Sequence, residues 1–388
     1  MLTIKKNSDR IASTITQQGM VINALSVKQA GRASMSQKVT ITDVAREANT
    51  SVGTVYRAVY NYGRINEKTR SRILDTVERL GYKANTVARG LALRNKFTIL
   101  VIMPKEPASF WRDVLKGTQR AAERLAEFGV RVIIYVGGEV DAESGKTIME
   151  TIADERIDAI ALSVFPFIDR GVVLQYATEN KIPVAILNDD IIGYDPLFYY
   201  GPNNRQAGTL AGELIRKFSG GGVCCAIMPV ETIKKHSAYM LRSQGFVEYL
   251  SAYCPESRYE GSFYCSPSET PSTILKLLAD FPDINGIYFT DLLLLQAGLS
   301  ILPEIGRKVY IIGHEYSEEF REALRNNTIT ALLVQEKVCQ GYYPVMMLYN
   351  YLVSGEKFLE NIYYSNINII LDTNADCLRQ SVNGCGYE

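Results

Sequence analysis

With 388 residues, 47% of them hydrophobic, the chain is long enough for two or three folding units with sizeable cores. Its formal charge of zero conceals a division. Residues 1–37 carry five Lys/Arg against one Asp/Glu, residues 38–96 twelve against five, and residues 97–388 twenty-five against thirty-six, the pattern of a polyanion-binding head on a body that avoids phosphate.

No apolar run approaches the ~18–20 residues of a membrane span, and no apolar h-region marks a signal peptide. Two histidines and seven cysteines without metal-type spacing argue against a zinc site. Adjacent Cys224 and Cys225 read as buried free thiols of a reducing compartment.

Residues 1–37 are rich in Ser, Gln, Thr and Ala without periodicity. They are expected to be disordered, or untranslated in nature, since Met35 stands just before the first organised segment. Residues 38–83 give three short helical patterns. Thr40 can cap the first, with Asp43 at its third position and Ile41, Val44 and Ala45 on one face. Ala48-Asn49-Thr50 forms a tight turn in which Asn49 tolerates the left-handed conformation. Ser51 caps a second helix that turns Val55 and Val59 inward and leaves Val52, Gly53, Tyr56 and Arg57 outward. Asn66 caps a third, whose core stripe is Ile73, Val77 and Leu80. This is the physics of a helix-turn-helix, in which the start of the second helix enters the major groove. Residues 84–96 form a basic connector with one short helical stretch, weakened at Gly90 by about 1 kcal/mol relative to alanine.

From Phe97 the pattern changes to apolar strands alternating with amphipathic helices: FTILVIMP, a helix closed by Gly129, VRVIIYV, DAIALSV and PVAILN. A second series of the same kind is expected from about Tyr199 to the helix GYYPVMMLYNYLV, with no short sequence repeat between the two. Regular alternation predicts parallel sheets covered on both faces, arranged as two lobes with a ligand cleft at the carboxyl ends of their strands.

The run VTITDVAREANTSVGTVYRAVYN…INEKTRSRILDTVERLGYKANTVARGLA resembles the headpiece of the lactose/galactose repressor (LacI/GalR) family over about fifty residues. Asn49 stands where glycine is usual, Tyr56 where serine is usual and Ala84 where proline is usual, so operator identity does not transfer. The resemblance implies that Val52, Gly53 and Arg57 read bases, Arg57 through a bidentate guanine contact worth roughly 1–3 kcal/mol of discrimination. Bulky Tyr56 lies beside them and alters backbone contacts. Thr40, Ser51, Thr54, Asn61 and Thr69 would contact phosphates. Leu91 in NTVARGLAL occupies the place of the family's minor-groove wedge.

Residues 97 to about 375 resemble type I periplasmic sugar-binding proteins, the effector domain this family carries. The implied architecture is an all-α headpiece on a two-lobed α/β domain of residues 97–388 with parallel sheets. Phe110 and Trp111 would stack on a sugar ring, and Arg242 would clamp the effector. Asn188, Asp189, Thr290, Asp291, Glu315 and Gln335 stand at strand ends, where they can match a polyol's donors and acceptors. With Arg242 as the sole cation and three carboxylates nearby, a neutral sugar or polyol is expected rather than an acidic metabolite; a purine or nucleoside is the alternative.

No GxSxG, P-loop, metal cluster or His/Cys nucleophile is present, and no cofactor is implied. The expected function is therefore a cytoplasmic, homodimeric, sugar-responsive transcriptional regulator and repressor. Its partners would be pseudo-palindromic double-stranded operator DNA and a small effector. The other reading, a sugar-binding transport or sensor protein, is opposed by the basic headpiece.

Overall fold

The computed structural model describes residues 41–51, 54, 55, 58 and 65–80, and then, with short gaps, residues 97–137, 148–163, 170–188, 194–230, 237–255, 257–355 and 358–377. The expected disordered extension 1–37 and hinge segment 84–96 lie outside the described residues. The chain divides into two compact units, one of residues 24–96 with 127–129 and one, the body, built on residues 97–126 and 130–388.

In the N-terminal unit, helices α1 (Ile41–Glu47) and α2 (Glu67–Leu80) flank a segment that is helical at Thr54, Val55 and Ala58. Val44, Ala45, Ala48, Val55, Ala58 and Ile73 form the core, with Ile65, Val77 and Leu80 packed around it. Asn49 adopts φ 46°, as the turn requires. Ser51 Oγ accepts the Thr54 amide at 3.2 Å and Asn66 Oδ1 accepts that of Lys68 at 3.0 Å, so both predicted caps form.

The body begins with β1 (Thr98–Pro104), whose unbroken apolar run is buried on both faces. There follow α3 (Ala108–Ala126), β2 (Arg131–Gly137), β3 (Ala159–Ser163), α4 (Arg170–Glu179), β4 (Val184–Leu187) and β5 (Phe198–Pro202). Next come α5 (Asn204–Ser219), β6 (Val223–Pro229), α6 (Ser237–Tyr253), β7 (Arg258–Cys265), α7 (Thr270–Asp280), β8 (Ile284–Phe289), α8 (Leu292–Gly298), β9 (Tyr310–His314), α9 (Glu318–Arg325) and β10 (Ala331–Gln335). The last elements are α10 (Lys337–Ser354), β11 (Ile362–Ser365) and β12 (Ile367–Ile370).

The strands make two sheets of matching order, β11-β5-β4-β3-β1-β2 and β12-β10-β9-β8-β6-β7. Each sheet defines one lobe. Two of the cores on their faces are dominated by Ile, Leu and Val, each contributing about 1.5–3 kcal/mol on burial, and a third mixes these with Ala, Cys, Met, Phe and Tyr.

The chain passes between lobes at Asn203, Glu336 and Asn366. At the first, Asn203 caps α5 by accepting the Gln206 amide at 3.0 Å. At the third, β11 runs into β12 through one residue. Both sheets direct their strands' carboxyl ends at the junction. A strand leaving the first lobe is therefore parallel there and antiparallel in the second, as β11 against β5 and β12 against β10 are.

Two expectations need correction. The first series extends through β5, which pairs with β4, so the second begins with α5 rather than at Tyr199. The helix containing GYYPVMMLYNYLV is not part of the second lobe: α10 returns to pack on α3 and on β1, β3, β4 and β5 of the first. Which sheet a helix covers is a non-local property that strand–helix alternation does not encode.

Candidate functional site

At the junction, polar side chains converge from both lobes. Asn188 follows β4 with φ 67°, and Glu315 follows β9 with φ 69°. Asparagine accepts this left-handed conformation readily, whereas glutamate does so under strain. Asn188 Nδ2 donates to Gln340 Oε1 at 2.9 Å, Gln340 Nε2 to Gln335 Oε1 at 3.0 Å, and Gln335 Nε2 to Glu315 Oε1 at 2.7 Å. Three of the predicted residues thus lie on one hydrogen-bond chain, completed by Gln340, which sequence reasoning did not select.

Glu315 is buried, and its Oε2 has no hydrogen-bond partner. The Lys337 ammonium lies 3.5 Å from that oxygen and 3.5 Å from Asp113 Oδ2, forming an ion pair shared between lobes. Burial pushes the Glu315 carboxyl above its ordinary range, opposed by the charges of Lys337 and Arg242 and the bond from Gln335. Lys337 also lies over the Phe110 ring, 5.7 Å from its centroid. Phe110 and Trp111 are both buried and meet edge to face at 5.0 Å.

Arg242, on α6, is buried. Its Nε donates to Asn204 Oδ1 at 3.0 Å and its Nη1 to the Thr290 carbonyl at 2.7 Å, which fixes the guanidinium at the end of β8. The Thr290 hydroxyl donates to the Ile227 carbonyl at 3.2 Å. Asp291 caps α8, accepting from the Leu293 and Leu294 amides, and its Oδ2 accepts from Tyr239 at 2.9 Å. Behind this wall Tyr288 and His314 share a buried hydrogen bond of 2.7 Å. Asp189 lies outside the described residues.

Arg242 is therefore not the site's sole cation. Lys337 balances Glu315 and Asp113, so the site is less negative than three carboxylates against one arginine would make it. The signal was present in QEKVCQGY: Lys337 and Gln340 open the helix that starts directly after β10, and a search restricted to strand ends passes over them. Among the described residues no cluster of metal-ligating side chains occurs, and no helix is long and apolar enough to cross a membrane.

On the N-terminal unit, Ser51 is exposed and bonded to Thr54 Oγ1 at 2.8 Å, while Thr54 and Thr69 are half-buried. Thr40, Val52, Gly53, Tyr56, Arg57, Asn61 and Leu91 lie outside the described residues.

Residues 40–85 match the model of bacterial regulatory proteins of the lacI family, and residues 99–357 match the periplasmic binding protein domain. Catabolite control protein A of Priestia megaterium is 32% identical over 150 residues, 38% of this chain and 42% of that protein. The HTH-type transcriptional regulator pepR1 of Lactobacillus delbrueckii subsp. lactis is 40% identical over 164 residues, 40% of this chain and 48% of that protein. The chain thus spans less than half the length of these curated relatives. Among solved structures, GanP, a glucose-galactose binding protein from Geobacillus stearothermophilus, superposes with TM-score 0.62 at 24% identity, covering 72% of this chain and 99% of that one. A carbohydrate transporter solute binding protein from Agrobacterium radiobacter in complex with D-arabinose gives TM-score 0.63 at 20% identity, with 74% and 99% covered. These two likenesses establish the fold of the body.

Proposed function

The chain belongs to the LacI/GalR family, a lacI-type headpiece joined to a periplasmic-binding-protein-like domain, and from that premise we propose that it is a sequence-specific transcriptional repressor of the cytoplasm. In this reading a homodimer binds pseudo-palindromic operator DNA, and a neutral sugar or polyol between the lobes controls that binding. The observation that carries the reading is the polar set at the junction of the lobes. It offers a carboxylate oxygen that is ion-paired to Lys337 and accepts no hydrogen bond, a fixed guanidinium and amides from both lobes. A hydroxyl-rich, uncharged ligand suits such a surface. The relatives named as transcriptional regulators and the solved structures named for sugars support the two halves of the proposal separately.

The headpiece reading assigns residues 38–83 to DNA recognition. Arg57, Val52 and Gly53 would read bases, Thr40, Ser51, Thr54, Asn61 and Thr69 would contact phosphates, and bulky Tyr56 would alter those backbone contacts. Residues 84–96 serve as a hinge that wedges Leu91 into the minor groove. A gel shift on the DNA upstream of the protein's own coding sequence, run across salt concentrations, tests the first half. Arg57→Ala should weaken specific binding by roughly 1–3 kcal/mol more than binding to random DNA. Equal losses on both would make Arg57 a phosphate contact. Calorimetry of the full chain against pentoses, hexoses, polyols, purines and sugar phosphates tests the second half. Tight binding of a purine or a sugar phosphate with silence toward every neutral sugar would overturn it.

A further inference from the structure

The two ends of the hydrogen-bond chain are equivalent positions in the two lobes. Asn188 and Glu315 each follow the third strand in their sheet's order, β4 and β9, and each holds a positive φ. One link between them crosses from lobe to lobe: the bond from Gln340 on α10 to Gln335 at the end of β10, spanning the crossing at Glu336. All three bonds run in the same sense, amide nitrogen to oxygen, so each polarises the next. At the far end Glu315 Oε2 is buried without a hydrogen-bond partner.

Gln340 itself is fully buried, and helix packing does not require that. The residue before Gly341 on α10 has its counterpart in Gln244 before Gly245 on α6, where the glycine makes the same close helix approach, and Gln244 is exposed.

We propose that Gln340 is a positioning residue that ties the ligand-facing Asn188 of one lobe to the ligand-facing Glu315 of the other, so that the two respond to occupancy as one unit. The ligand-facing roles rest on the proposed function; the tie itself does not. With Gln340 in place, a hydroxyl bonded at Glu315 Oε2 changes the polarisation of the whole chain and with it the acceptor strength of Asn188 Oδ1. Lys337, at the start of the same helix, holds Glu315 from the other side and pairs with Asp113.

The test uses the full chain and Gln340→Met, which keeps length and helical propensity while removing both hydrogen bonds. Without ligand, hydrogen exchange of peptides covering 184–188 and 331–340 should quicken at least tenfold in the variant. Gln244→Met should leave both peptides unchanged. With the tightest binder among D-glucose, D-galactose and D-arabinose, Asn188→Ala and Glu315→Gln should be non-additive by at least fivefold in affinity, and additive once Gln340→Met is present. Gln335→Met breaks the same link from the other lobe and serves if Gln340→Met does not fold. Unchanged exchange, or coupling that survives without Gln340, overturns the proposal. If no sugar binds, the functional reading fails and the exchange measurement alone decides this one.

Discussion

The two lobes are variations on one plan. In each, two helices cross so closely that glycine is needed on both. An added Cβ on Gly117 of α3 would lie 1.9 Å from the Val338 carbonyl oxygen, and one on Gly341 of α10 1.9 Å from that of Val114. In the second lobe Gly208 of α5 meets the Arg242 oxygen at 1.8 Å and Gly245 of α6 that of Arg205 at 1.9 Å. A threonine follows the first glycine in both lobes, and at the same spacing Gly129 and Gly220 stop the helix with φ 75° and 68°. The strings KGTQRAAERLAEFG and AGTLAGELIRKFSG are therefore structurally equivalent, as two series of the same order imply, although their sequences share too little to read as a short repeat. Only the glycines, the threonine and small residues are shared: Gly117 and Gly208 meet a neighbouring helix's backbone, and Gly129 and Gly220 hold a positive φ.

The lobes differ in where their helices come from. α5 and α6 are separated only by β6, whereas α3 and α10 stand at opposite ends of the body. The first lobe closes with a helix that arrives after five of the second lobe's six strands. The site has diverged along with the topology: the place of Arg242, three residues before Gly245, is taken in the first lobe by Val338.

The most damaging test of this equivalence is to substitute alanine at Gly117, Gly341, Gly208 and Gly245 in turn. Each new methyl collides with a carbonyl oxygen rather than a flexible side chain, so each should cost about 3 kcal/mol, at the upper end of overpacking losses. Denaturant titration measures this, and a tolerated alanine in either lobe would break the parallel.

Acid should separate the lobes next. His314 ends β9, whereas Leu187 holds the equivalent place in β4. Burial, then the charge of Arg242, keeps the His314 imidazole neutral, its pKa well below the ordinary value near 6.5. The folded state therefore takes up this proton later than the unfolded chain does. Stability is full above about pH 6.5 and falls as pH drops below it, by up to about 1.4 kcal/mol per pH unit. His314→Leu should flatten that slope in thermal scans between pH 7.5 and 5.5; an unchanged slope would assign it elsewhere.

A smaller difference is expected at the threonines. Thr118 is fully buried and donates to the Val114 and Gly341 carbonyls at 3.1 and 3.2 Å, whereas half-buried Thr209 donates to the Arg205 carbonyl at 3.1 Å but reaches that of Gly245 only at 3.5 Å. Thr118→Val should cost about 1 kcal/mol and Thr209→Val about half that. Reversal of the order in urea midpoints would show that burial does not set these bonds' worth. Smallest of all should be Arg205→Ala. It removes the α5–α6 ion pair with Glu248, but both side chains are about half exposed, and exposed pairs contribute roughly 0–1 kcal/mol.

Much of this was legible in sequence. Unbroken runs such as TILVIMP and VCCAIMP announce buried strands, and Asn49, Ser51 and Asn66 do in the structure what their side chains suggest. The strands that escaped are β5, β7, β11 and β12. β5, β7 and β11 are tyrosine-rich, and β7, β11 and β12 are partly exposed edges whose pattern is set by neighbours. The site was half legible for a similar reason. Strand ends pointed to Asn188, Glu315 and Gln335, but the bonds joining them pass through Gln340, and only the return of α10 brings that residue there.

That return has a consequence for the chain as it is made. Synthesis runs from the amino terminus, so the first sheet waits with the edge of β5 unpaired and the glycine face of α3 bare while all of the second lobe but β12 is produced. Only when α10 and β11 emerge is the surface covered. A ribosome that stops shortly after residue 336 would release no smaller working module. It would release a nearly finished second lobe tethered to an open, apolar sheet, the kind of species that chaperones hold and proteases remove.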